Sequence, residues 1–207
     1  MIKPYYQDKW VTILKGDCRQ ILPQLDVREY FPHLTENKVD LVLTDPPYPD
    51  QHPEYGFIDI SFLDNYKCLQ LIFWSAKIDF PLDYTAIHIW DKQVGCASEY
   101  ERIFERNGQK NYKVFRVNMV NSTYSAMRSQ DVFTGHKSQK PKQLIGRLLK
   151  YATNGGELVL DPFLGSGTLV ATAPRYSCYS IGIEIEEKYC EIAARRCSQE
   201  VMDFSKL

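Results

Sequence analysis

Short runs rich in β-branched and aromatic residues alternate along the chain with stretches whose apolar positions recur every three or four residues. The runs at 11–15, 39–44, 85–90, 112–117, 158–160 and 180–185 predict strands. The stretches at 18–25, 61–77, 98–106, 141–151 and 186–197 predict helices. Within 98–106, Tyr100, Ile103 and Phe104 would share a helical face, with Glu101, Arg102, Glu105 and Arg106 as its polar remainder. Alternation of this kind predicts an α/β fold, a parallel sheet with crossover helices. Two irregular stretches interrupt it, 48–60, rich in Pro and Asp, and 121–139, rich in Ser, Thr and Gln. In such sheets ligands sit in loops at the carboxyl ends of strands.

The 207 residues, 44% hydrophobic and 25% charged, suit one compact domain, with no internal repeat, low-complexity tract or dividing linker. A net charge of −1 excludes a uniformly basic nucleic-acid coat. Charge is uneven, however. Residues 128–150 carry Arg128, Lys137, Lys140, Lys142, Arg147 and Lys150 against Asp131 alone. Such a cluster is either a solvated helix face or a polyanion-binding edge. The six cysteines form no C-x-x-C pair and no zinc spacing, so free thiols and no metal are expected. Residues 1–10 lack the apolar stretch of a signal peptide, and no run approaches the ~20 apolar residues that span a bilayer. The expected setting is cytoplasmic, with no membrane partner.

The strand ending at Leu160 runs into Asp161-Pro162-Phe163-Leu164-Gly165-Ser166-Gly167-Thr168 and then a small-residue helix start. A strand, a tight Gly-x-Gly turn and a helix bring bare backbone against a ligand. Val170 stands where a dinucleotide fingerprint wants glycine, and no Gly-Lys-Ser/Thr follows the turn, so neither an NAD site nor a P-loop fits. Glu184 closes the next strand, where an acid would hydrogen-bond a ribose diol. These features point to an adenosine-containing cofactor other than NAD.

A second strand, Val39 to Thr44, ends in Asp45-Pro46-Pro47-Tyr48. Consecutive prolines fix φ and donate no hydrogen bond, so a carboxylate followed by them forms a cluster of acceptors only. That suits an amino group on a planar ring, and Tyr48 offers a ring on which a base can stack, worth about 1–3 kcal/mol. His52 and His88 have no sequence partner that marks them as catalytic and read as structural.

Together, Asp45–Tyr48 and Asp161–Thr168 resemble the amino-methylating DNA methyltransferases that use S-adenosylmethionine. The acceptor motif precedes the glycine turn, as in the permuted β group of that family. His136-Lys137-Ser138-Gln139-Lys140-Pro141 is similar to the family's His-Pro-Thr-Gln-Lys-Pro element, with Lys137 and Ser138 as departures. Gly182-Ile183-Glu184-Ile185 with Tyr189, Ala193 and Arg196 looks like its second cofactor strand and helix. Lys15-Gly16-Asp17-Cys18 looks like the strand whose Asp reads the cofactor adenine, and Trp90-Asp91-Lys92 falls in a further sheet strand.

The resemblance implies a Rossmann-like methyltransferase fold with about seven strands, mostly parallel and twisted, and helices on both faces. It implies one domain over 1–207, with a catalytic region at about 39–120 and a cofactor region at about 136–198 plus 13–18. Asp45, Pro46, Pro47 and Tyr48 would be catalytic. Asp17, Cys18, Asp45, Lys140, Pro141, Asp161, Pro162, Phe163, Gly165, Ser166, Gly167, Thr168, Glu184 and Ile185 would hold the cofactor. Arg128, His136, Lys137 and Lys142 would contact DNA, whose target base must leave the duplex. Asp at position 45 leans toward the 6-amino group of adenine over the 4-amino group of cytosine. An RNA or protein-amide substrate, or a non-catalytic partner subunit, are the other readings. No long insertion exists to read bases, which implies a short target, relaxed specificity or a second protomer completing recognition.

Overall fold

The structure is a computed structural model that describes residues 2–51, 58–93, 99–119, 134 and 139–203. Its strands are β1 (Tyr6–Gln7), β2 (Val11–Lys15), β3 (Leu41–Thr44), β4 (Leu69–Trp74), β5 (Ala86–Asp91), β6 (Tyr100–Arg106), β7 (Val114–Arg116), β8 (Leu158–Asp161) and β9 (Tyr179–Glu184). They form one sheet in the order β1-β2-β9-β8-β3-β4-β6-β5-β7. Three pairs are antiparallel, β1 with β2 and β6 with both β4 and β5; the others are parallel. Two short edge strands, β1 and β7, raise the count to nine from the expected seven.

The central strands explain the core. Leu41 to Leu43 and Leu158 to Leu160 are buried without alternation, as expected of parallel strands covered on both faces. At β2 the pleat separates two layers. Val11 and Ile13 pack against Cys190, Ala193 and Cys197 of helix α4 (Glu187–Asp203), while Leu14 joins Cys18, Ile21, Val27 and Tyr30 on the other side. Of the latter, Cys18 and Ile21 belong to α1 (Cys18–Ile21), Val27 to a 3₁₀ turn further on at Val27–Glu29, and Tyr30 closes that turn. Helix α2 (Lys142–Ala152) starts after Pro141, which is extended and suited to precede a first turn, and buries Leu144, Ile145, Leu148 and Leu149 as one stripe. Helix α3 (Thr168–Thr172) contacts both α2 and α4.

Two expected helices are absent. Residues 61–77 contain a 3₁₀ turn, Ser61–Asn65, and then β4. A continuous apolar run reads alike in a buried helix and in a buried strand, and here the sheet takes it. Residues 100–106 form β6 instead of a helix. Its charged residues are not a solvated face, because each is partnered inside. Glu105 meets His88 at 3.1 Å and Tyr151, Arg106 meets Gln70 at 3.0 Å and Asp64, and Arg102 donates to the Ser75 carbonyl. His88 accepts the Lys113 amide at Nδ1 and so presents its Nε2 proton to Glu105; burial lowers its pKa. It is a satisfied core histidine. His52 lies outside the described residues.

Candidate active site

The connection from β3 leads to β4 on one side, and the one from β8 leads to β9 on the other. Between β3 and β8 the winding therefore reverses, and a crevice opens at their carboxyl ends. Both chemical motifs stand there. Thr44, the last residue of β3, donates through Oγ1 to Asp161 Oδ1 at 2.7 Å, linking the two strand tips. A cavity of about 990 Å³ takes in Asp45 to Tyr48 on one wall and Asp161 to Ser166 on the other, with Asp17, Cys18, Lys140, Thr168, Glu184 and Ile185 also lining it.

On the glycine side, Gly165 and Gly167 both have positive φ, at 53° and 75°. A Cβ on Gly167 would meet the Ala193 Cβ at 2.4 Å, so the turn packs hard on α4. Glu184 pins the turn. Its Oε2 accepts from the Gly165 amide and its Oε1 from the Glu186 amide, both at 2.8 Å. Arg196 Nη1 donates to the Ser166 carbonyl at 2.8 Å and lies 3.1 Å from Thr168 Oγ1. Asp161 is buried, and that burial pushes its pKa up to about 7 despite the donors on Oδ1. Asp17 caps α1 through the Arg19 amide and is held by the Arg19 guanidinium, which lowers its pKa. Burial pushes the Cys18 thiol up to about 12, so it lines the pocket as an apolar group. Ile185, 62% exposed, forms a lip.

On the proline side, Asp45 keeps 23% of its side-chain surface open. Its Oδ1 accepts from the Tyr48 hydroxyl and its Oδ2 from the Lys140 ammonium at 2.5 Å. Burial raises its pKa and Lys140 opposes the rise. Lys140 Nζ also lies 3.2 Å from Glu101 and 4.9 Å from the centre of the Phe73 ring. Tyr48 is only 3% exposed, its ring 5.6 Å from that of Trp74, so in this arrangement it is covered rather than presented for stacking.

The structure thus brings the expected catalytic residues and most of the expected cofactor residues to one cavity. Lys140 is aimed at Asp45 and Glu101, and Pro141 precedes α2. Gly167 stands in the turn but is not among the lining residues. Lys142 begins α2; Arg128, His136 and Lys137 lie outside the described residues. Sequence reasoning missed Glu101. No local signal marks it, because two acids on the same strand face as Ile103 read as solvent-facing until Lys92 and Lys140 are placed beside one of them. Among the described residues no group of three or more His, Cys, Asp or Glu could hold a metal ion, and no helix is long and apolar enough to cross a membrane.

A family profile described as DNA methylase, of the N6/N4 type, matches residues 70–195, more than half of the chain. The chain belongs to the DNA methylase family. The matched span holds the glycine turn, Glu184 and Lys140; the Asp45 corner precedes it. Among methylase relatives, the type II methyltransferase M2.DpnII of Streptococcus pneumoniae is 31% identical over 107 residues, covering 46% of this chain and 40% of that protein. M.ScaI of Streptomyces caespitosus is 42% identical over 78 residues, covering 38% and 26%. M.HpaI of Haemophilus parainfluenzae is 23% identical over 230 aligned positions, covering 84% and 73%. The chain thus spans less than half the length of the first two. Among solved structures, the M1.HpyAVI complex with S-adenosylmethionine superposes with a TM-score of 0.62 at 23% identity, over 90% of this chain and 99% of that one. PvuII DNA methyltransferase, cytosine-N4-specific, gives 0.61 at 12% identity, over 99% and 94%. The Rossmann-like methyltransferase fold is shared.

Proposed function

We propose that this chain transfers a methyl group from S-adenosylmethionine to the exocyclic amine of a base in DNA, with the 6-amino group of adenine as its target. The observation that carries this reading is the single cavity shared by the acceptor corner and the glycine turn, tied by the Thr44–Asp161 hydrogen bond.

The residues fit such a cofactor. Five acids line the cavity, Asp17, Asp45, Asp161, Glu184 and Glu186, against Arg19, Lys140 and Lys188. Asp161, whose pKa burial pushes up to about 7, is a site that a cation improves. Bound there, S-adenosylmethionine supplies an electrophilic methyl on a sulfonium. Asp161 and Glu184 would hold its polar parts, with Phe163 and Ile185 beside its rings.

An exocyclic amine is a weak nucleophile because its lone pair is delocalised into the ring. Asp45 and the Pro46 carbonyl, accepting from its two N–H groups, would turn that lone pair toward the methyl. As the nitrogen gains the methyl it gives up a proton, and Asp45 is the base at hand. Tyr48, covered and bonded to Asp45 through its hydroxyl, would act here by holding that acceptor rather than by offering its ring to the base. Phosphates would meet the basic stretch 128–150, of which Arg147 and Lys150 stand exposed on α2. On this reading the chain would meet DNA in the cytoplasm of a prokaryotic cell or as a phage-encoded protein, with a short target, relaxed specificity or a second protomer accounting for target reading.

Asp at position 45 favours adenine; the shared fold with a cytosine-N4-specific enzyme keeps the 4-amino group of cytosine as the second reading. Digestion of duplex DNA methylated with labelled donor separates the two, since one yields 6-methyladenine and the other 4-methylcytosine. Asp45→Ala is expected to abolish transfer while donor affinity stays within a few-fold. Transfer by that variant would overturn the assigned role.

A further inference from the structure

Two charged side chains that this chemistry does not use stand behind the acceptor corner. Glu101 of β6 and Lys92, just past β5, are paired at 2.8 Å and almost closed to solvent. The other Glu101 oxygen lies 3.2 Å from Lys140 Nζ and 3.4 Å from the Tyr48 hydroxyl. These are the two groups that hold Asp45. Strand direction puts Glu101 there. Because β6 runs against β4 and β5, its first residues sit beside their last ones, Glu101 opposite Trp90 and Arg102 opposite Trp74. A parallel strand would have carried this acid to the far end of the sheet.

We propose that Glu101 is a positioning residue for methyl transfer: it divides the Lys140 ammonium with Asp45 and braces the Tyr48 hydroxyl, keeping Asp45 a charged yet strong acceptor. This rests on the transfer function proposed above. A lysine paired with one carboxylate in a dry slot stabilises the anion and weakens it as a base. A second carboxylate on the same ammonium restores part of that basicity. The other groups facing Asp45 are Tyr48 from its own loop and Asp161 from β8, with Lys92 balancing Glu101 from behind. Asp45 and Glu101 thus stand against Lys140 and Lys92, with Asp161 as a third acid on the cavity side.

The test uses Glu101→Gln, which keeps size and an acceptor but removes charge, and the double variant Glu101→Gln/Lys92→Met, which keeps the local charges balanced so that folding is preserved. The Asp45 carboxyl is titrated by carbon NMR in protein free of donor and DNA, and kcat, KM and donor affinity are measured across pH. In both variants Asp45 is expected to titrate at lower pH than in the wild type. The acid limb of kcat/KM moves down with it, kcat falls about tenfold to a hundredfold, and donor affinity is unchanged. An unmoved Asp45 titration, or wild-type kcat in the double variant, overturns the proposal. If wild-type protein binds donor yet methylates neither amine, the transfer function fails, while the Asp45 titration still judges the hold of Glu101.

Discussion

The Lys140 ammonium sits 2.5 Å from Oδ2 of Asp45, although 95 residues separate the two in the chain. The contact joins the proline corner after β3 to the residue that leads into α2, and it is almost sealed from solvent on the lysine side. Breaking it from the lysine side leaves Asp45 with no counter-ion beside a Glu101 that keeps only Lys92.

Lys140→Met is therefore expected to destabilise the fold by about 3–5 kcal/mol at neutral pH, measured by urea denaturation. The sign with pH follows from the acids. Without the ammonium, Asp45 binds a proton more readily in the folded than in the unfolded chain, so the deficit shrinks as pH falls. A deficit that stayed constant down to pH 4 would show that charge is not its cause.

Asp161 gives a second pH dependence. Its pKa is raised from 3.8 to about 7 by burial. A carboxyl raised on folding stabilises most below its unfolded pKa, and that contribution is lost as pH climbs toward 7. Asp161→Asn keeps an oxygen for Thr44 and sheds this loss. Between pH 4 and 7 the variant should gain on the wild type by up to about 1.4 kcal/mol per unit, while binding S-adenosylmethionine about tenfold more weakly. Parallel stability curves for the two proteins would remove Asp161 from the role given to it.

Glu184 holds the glycine turn by the Gly165 amide, accepts a second amide hydrogen bond from Glu186, and lines the cavity as well. Glu184→Ala should weaken donor binding about tenfold or more, since the loss of a charged acceptor alone is worth about 1.5–3 kcal/mol. Calorimetry at constant pH reads it, and unchanged affinity would exclude the residue from the cofactor site.

Much of this was legible before any coordinates. Leu158–Asp161 and Leu41–Thr44 are short, apolar and followed by glycine or proline, and no helix competes for such segments. The acceptor corner and the turn could therefore be placed at strand ends. What escaped was β6, because Glu101, Glu105 and Arg106 look solvated until their partners just past β5, on α2 and in the 61–65 turn are known. Those partners are 9 to 46 residues away, and local periodicity carries no trace of them. The place of Lys140 beside the cavity was visible from its helix start, but the two acids that pair with it, Asp45 and Glu101, were not.

Thr44 and Asp161 are 117 positions apart, yet their strands are neighbours. A ribosome finishes the acceptor corner long before it makes the glycine bend. Until the late strand slots in beside the early one, the growing chain owns half a pocket. Closing so long a loop is slow and opposed by chain entropy. Competence for chemistry should thus arrive all at once, with the final zipping of the sheet, and a partly folded molecule would hold neither donor nor base.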